Sequence, residues 1–104
     1  GITVGANTDL DLFQSAVVQS SIGAILANSP TSFATLSSSQ IGNGQGYGVR
    51  STNSAIVRMA NCTVSFVNGT GLLADAAGQI VTWSNNYVAG NTTDGARTST
   101  ITPM

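Results

Sequence analysis

Lysine, glutamate and histidine are all missing from this 104-residue chain. Three arginines and four aspartates are its only charged side chains, for a net charge of −1. Without histidine, the commonest general acid–base group and metal ligand is gone. The arginines stand apart at 50, 58 and 97. A nucleic-acid surface needs clustered positive charge, so nucleic acid is not expected as a partner. A lone cysteine, Cys62, excludes an internal disulfide. With no histidine to activate it, its thiol reads as a packed small group rather than a nucleophile. No run of 18 apolar residues exists, so no membrane span is expected. The most apolar stretch, Val17 to Ala27, is broken by Gln19, Ser20, Ser21 and Gly23. No signal peptide is seen and the chain starts at Gly1, which leads us to expect a processed or trimmed form.

What the chain has in quantity is Ser, Thr, Asn and Gly, 47 residues together. Such a composition can signal disorder, but disorder combines low hydrophobicity with high net charge. Here 41% of the residues are apolar, and they recur at regular spacing, enough to build a core. One domain is expected at this length.

The spacing is a repeat. The stretch Ile80 to Val88 has degraded copies at Ile56 to Val64, Phe33 to Ile41 and Leu10 to Val18, at steps of 23, 23 and 24 residues counted from the first copy along the chain. Three columns are apolar throughout: Leu10, Phe33, Ile56 and Ile80; Phe13, Leu36, Met59 and Trp83; Val18, Ile41, Val64 and Val88. Between them runs a small polar column of Ser15, Ser38, Asn61 and Asn85. A fixed period of this size marks a stacked repeat. The copies are short, rich in β-branched residues and interrupted by Ser, Asn and Gly, which favours short strands joined by tight turns over helices. Each strand then pairs in parallel with its copy one coil away, and like stacks on like. The expected coils are 1–22, 23–47, 48–70 and 71–95, with a tail at 96–104. In that tail a partial strand is expected over Ser99 to Ile101.

Turns are expected at Asn28 to Ser32, around Pro30, at Asn68 to Thr70 and at Ala77–Gly78. The glycine-rich Gly42 to Gly48 reads as a loop. A rival reading caps a helix at Thr8 or Asp9 and runs it to Ala27; the polar breaks and the column match oppose it.

The runs Trp83 to Asn91 and Met59 to Val64, with Gly71–Leu72 opening a turn, resemble right-handed parallel β-helix proteins of the pectin-lyase-like type. Val88 to Gly95 is similar to the last coil of bacterial members. The resemblance covers residues 48–97 well and 1–47 only through the columns. It implies an all-β, right-handed, single-stranded parallel β-helix (β-solenoid) of about four coils. It also implies that Asn61 and Asn85 belong to an internal asparagine ladder. Lyases of that family use basic residues, often with calcium; its hydrolases use several aspartates and a histidine. Asn7-Thr8-Asp9 resembles a short hydrolase motif, but the paired aspartates and histidine that should follow are absent.

Cleaving a glycosidic bond needs two carboxylates flanking one site. Asp9 and Asp11 share a strand face, yet the columns place Ser32 and Ala34 below them. Asp75 and Asp94 fall in turns. No catalytic set, metal site or cofactor is therefore expected. The function that follows is a non-catalytic structural or interaction module, extracellular or at a cell surface, self-associating through open ends or side faces. The alternative is a fragment of a carbohydrate-binding or carbohydrate-active β-helix. Tyr47, Arg50 and Tyr87 are its candidate ligand surface, and polysaccharide its partner.

Overall fold

The computed structural model describes residues 1–83 and 85–101; Ser84 and residues 102–104, with Pro103 and Met104 of the tail, lie outside the described residues. The described chain winds as a parallel β-solenoid of about four turns, without helix. None of it is therefore a helix long and apolar enough to cross a membrane. Strands are numbered along the chain. The first sheet stacks β1 (Ile2–Val4), β4 (Gly23–Ala27), β7 (Gln45–Ser51), β10 (Asn68–Ala74) and β13 (Thr93–Gly95). The second stacks β2 (Thr8–Phe13), β5 (Ser32–Ser37), β8 (Ile56–Ala60), β11 (Gln79–Trp83) and β14 (Ser99–Ile101). The third stacks β3 (Ala16–Val18), β6 (Gln40–Gly42), β9 (Thr63–Ser65) and β12 (Tyr87–Ala89). Every pairing is parallel. The tail strand over Ser99 to Ile101 is present and pairs with β11, while β2, β3 and β4 occupy the segment of the rival helix.

The core is a set of stacked inward columns. Ile25, Val49 and Leu72 form one, Ala34, Val57 and Ile80 another, and Ile41, Val64 and Val88 a third. Leu36 and Met59 align as expected, both fully buried. Their ends do not. Leu12, not Phe13, stands over Leu36, and Thr82, not Trp83, lies under Met59. Likewise Leu10 pairs with Ala34 rather than Phe33, Ile80 with Val57 rather than Ile56, and Val17 rather than Val18 with Ile41. Side chains alternate along a strand, so a slip of one residue turns every side chain to the other face. The second-sheet steps are 24, 23 and 23, and they keep Leu10 and Leu12 inward while Phe13 points out, 62% exposed.

Two stretches expected as loop or turn are strand. Gly42 to Gly48 lies mostly in β6 and β7, and Asn68 to Thr70 opens β10. The reason is close approach: Gly46 sits at φ +82° and Gly69, paired with it, at φ +153°. A Cβ on Gly46 would overlap the Ile22 carbonyl, and one on Gly69 the Gly46 carbonyl. Glycine here carries the ladder through a left-handed kink. Asp94, expected in a turn, lies in β13.

The turns between sheets one and two repeat with altered chemistry. Ser29 to Ser32 turns through Pro30, with the Ser32 amide donating to the Ser29 carbonyl. One coil on, Asn53 and Ser54 both take positive φ, 56° and 63°. Next, Ala76 and Ala77 do so at 46° and 64°, closed by Gly78 N–H donating to Asp75 O. Two successive left-handed residues suit Asn-Gly, and each alanine there costs about 1 kcal/mol or more. Replacing them with Ala76→Asn/Ala77→Gly is expected to stabilise the fold by about 1–2 kcal/mol, read as a rise in Tm of roughly 5–10 °C. An unchanged or lower Tm would refute that reading of the turn.

Candidate functional site

The two ends of the stack differ. At the start, β1, β2 and β3 each close their sheet, so all three sheets end level in the first coil. Of their inward side chains Val4 is buried, while Ile2, Leu10, Leu12 and Val17 pack on the core yet stay half-exposed, with no described element above them. Around the same coil Phe13, Val18 and Ile22 are exposed, Ile22 to 75%. Among the described residues, the backbone groups on the outer side of these three strands have no ladder partner, as at any sheet edge. The only charged side chains of residues 1–22 are Asp9 and Asp11.

The other end is ragged and polar: among the described residues the first two sheets carry a fifth strand and the third does not. A hollow of about 280 Å³ lies there, lined by Leu72, Thr82, Trp83, Asn86, Asp94 and Arg97, among others. Side chains lock the last coil in place. The Asn86 amide Nδ2 donates to Met59 O at 3.0 Å and Trp83 O at 2.9 Å, while its Oδ1 accepts from Cys62 N–H at 2.8 Å. Asn91 Oδ1 accepts from Val67 N–H at 2.9 Å, and its Nδ2 donates to Val64 O at 3.1 Å. The Thr98 hydroxyl accepts from Ile80 N–H and donates to Ile80 O, fastening the tail.

The asparagine ladder sits elsewhere than expected. Asn85 Oδ1 does accept from Asn61 N–H at 2.9 Å, and Asn61 Nδ2 donates to Ser38 Oγ at 3.4 Å. That run is exposed, however, and its first-coil member is Gln14 rather than Ser15. Gln14, Ser38 and Asn61 share a left-handed backbone, φ 49°, 49° and 53°, which sends them outward at a turn. The part-buried amides that bridge two coils through their side chains are Asn86 and Asn91. Nothing in the repeat columns distinguished Asn86 from its neighbour Asn85.

Cys62 is buried between Ser39 and Asn86, with Ser15 at the top of the column. Burial pushes its thiol up, outweighing hydrogen bonds to the backbone at Ser39 and Ala60 that act the other way. A thiol so placed is a packing group.

Of the expected ligand surface, Tyr47 and Arg50, both of β7, come together, with the guanidinium carbon 5.9 Å from the Tyr47 ring centre. The ring lies over Gly23, where a Cβ would overlap it, in a groove of about 310 Å³ with Ile2, Ile22 and Leu26. Tyr87 does not join them; it stands on β12, in another sheet. Arg50 is also occupied: its Nη2 donates to Asp75 Oδ2 at 2.9 Å. The Thr52 hydroxyl first, then Arg50, hold the Asp75 carboxyl below its ordinary value of 3.8. Arg50 Nε and Asp75 Oδ1 are themselves buried without a hydrogen-bond partner among the described residues. A lowered carboxylate adds stability above the unfolded value that is lost as pH falls through the folded one. Acid unfolding below about pH 4 should therefore be less steep in Arg50→Met than in the parent, measured as unfolding free energy between pH 2 and 5. An identical pH profile would show that the pair contributes nothing, as many exposed pairs do.

The remaining carboxylates form no pair. Asp9 and Asp11 project from the outer face of β2, with Phe33 and Thr35 as their partners on β5 instead of Ser32 and Ala34. Arg58 follows Thr35 in the same column. Among the described residues no three metal-ligating side chains come together. No family model, curated protein or solved structure matches the chain.

Proposed function

We propose that this chain is a non-catalytic structural or interaction module of the pectin-lyase-like β-helix type, working outside the cell or at its surface by self-association through an open end. The observation that carries this reading is the level first coil, with three unpaired strand edges around a half-exposed ring of Ile2, Leu10, Leu12 and Val17. Unpaired edges and exposed apolar area both cost a small stack stability, and association relieves both. Light scattering on size-separated protein from about 1 to 500 μM is the test. Growth in mass with concentration supports the reading; a monomer throughout removes it.

A polysaccharide-binding surface is the second reading. The Tyr47 ring, laid flat on the strand beside Arg50 and the apolar groove, favours it. An array of acidic and neutral glycans tests it, and the variant Tyr47→Ala should lose any glycan retained.

A further inference from the structure

We infer that two copies of this chain dock flank to flank through the outer face of the second sheet, with Arg58 of each copy set against Asp11 and Asp9 of the other. This goes beyond the open end: it names a different surface and a contact chemistry of its own.

Register lays out the face. Three outward columns cross β2, β5 and β8: Asp9, Phe33 and Ile56; Asp11, Thr35 and Arg58; Phe13, Ser37 and Ala60. The middle column is acidic at one end and basic at the other, with a hydroxyl between. Among the described residues the one ion pair is that of Arg50 with Asp75, so Asp9, Asp11 and Arg58 have no charged partner within the chain. They line an open groove of about 250 Å³ with Phe33 and Thr35. The rings of Phe13 and Phe33 stand exposed on either side of the column.

Such a face complements itself. A two-fold axis lying in the face, along β5, keeps each column in place and reverses its order. Asp11 then meets Arg58 of the second copy, and Arg58 meets its Asp11. Thr35 meets Thr35 and Phe33 meets Phe33 on the axis, while Phe13 falls on the small Ala60. Asp9, two residues from Asp11, brings a second carboxylate beside the same guanidinium. One operation thus serves all three columns, and an isologous contact stops at two copies.

Other placements fail on charge. An axis along the stack would set Asp11 on Asp11 and Arg58 on Arg58. An axis between β5 and β8 would set Arg58 on Thr35 and Asp11 on Val81, covering charges without partners, which is strongly unfavourable. Area sets the strength. Strands of six residues or fewer span about 20 Å and three of them roughly 14 Å, a footprint of ~300 Å². A standard interface takes about 800 Å² from each partner, so this joint is weak and its charges decide it.

The experiment is sedimentation equilibrium of the whole chain up to 1 mM, with circular dichroism confirming the β signal. The parent should associate with a Kd of about 100 μM. Raising NaCl from 0.05 to 0.5 M should weaken it at least ~fivefold. Arg58→Asp alone and Asp11→Arg alone each set like charges across the axis and should loosen association ~tenfold. Mixed in equal amounts, the two variants place opposite charges at both contacts and should restore the parental level. A bismaleimide should link Thr35→Cys, which lies on the axis, into covalent dimers. It should leave Gln40→Cys, exposed on the third sheet, unlinked, with buried Cys62 silent in both. The salt series and the linkage pair stay informative if either reversal fails to fold. A parent that is monomeric at every concentration overturns this joint and the proposed function together. Association that salt or the reversals leave unchanged, a mixture no tighter than its components, or equal linkage at positions 35 and 40 overturns the joint alone and leaves the open end standing.

Discussion

Leu36→Ala is expected to remove about 2–5 kcal/mol of stability, the range for a leucine truncated in a well-packed core. Leu36 is fully buried at the centre of its column, with Leu12 on one side and Met59 on the other. In a solenoid the neighbours are held by ladders on both sides, so the wall has little freedom to collapse into the void. A domain of this size has about 5–15 kcal/mol in total. The variant should therefore melt far below the parent, by ten degrees or more. Phe13→Ala is the control: Phe13 points to solvent, and its loss should shift Tm by no more than a degree or two. Equal effects at both positions would mean that the register is the one read from the repeat columns, with Phe13 inside.

Asn86→Ala should cost about as much, roughly 3 kcal/mol, for a different reason. The amide satisfies three backbone groups at once: the carbonyls of Met59 and Trp83 and the amide of Cys62. Alanine leaves them unpartnered in a part-buried turn, at about 1–3 kcal/mol each before water enters. Asn85→Ala, one residue away, removes a single exposed bond to Asn61 and should cost under 1 kcal/mol. Asn86→Asp separates the two halves of the amide: it keeps the acceptor for Cys62 and deletes both donors. Chemical denaturation of the four proteins reads all of these differences. If Asn85→Ala proves the more damaging, the amide that joins the last two coils has been misplaced.

The repeat was legible because stacking places like residues above one another at nearly constant spacing. The period and the parallel pairing followed from it, while the tail strand at Ser99 to Ile101, 18 residues from its partner, lies off the period. The exact register did not, and the reason is one of parity. Leu10 and Phe13 stand three residues apart, so within one strand they face opposite ways. Both could not be core, and the same holds for Ile80 and Trp83. The pairs two apart, Leu10 with Leu12 and Ala34 with Leu36, satisfy the alternation and are the ones found inside. Hydrophobicity alone hid this, because small Ala34 lines the core while large Phe33 lies outside. The glycine stretch misled for a related reason: glycine marks a flexible turn or a tight backbone approach, and only the neighbouring coil shows which. As for the candidate interface, the columns identified the open ends but not their inequality. That depends on where each sheet stops, and a repeat unit carries no such information.

Every ladder pairing in the molecule joins residues 18 to 24 positions apart, and those between full coils join residues 23 or 24 apart. Length is thus quantised. Excising residues 45–67, one whole winding, would bring Asn68 directly after Gly44 and leave every surviving column continuous. Leu36 and Ser39 would then present to Asn86 the carbonyl and amide that Met59 and Cys62 present now. Removing ten residues from the same region would break each column, so for this chain the larger deletion is the gentler one.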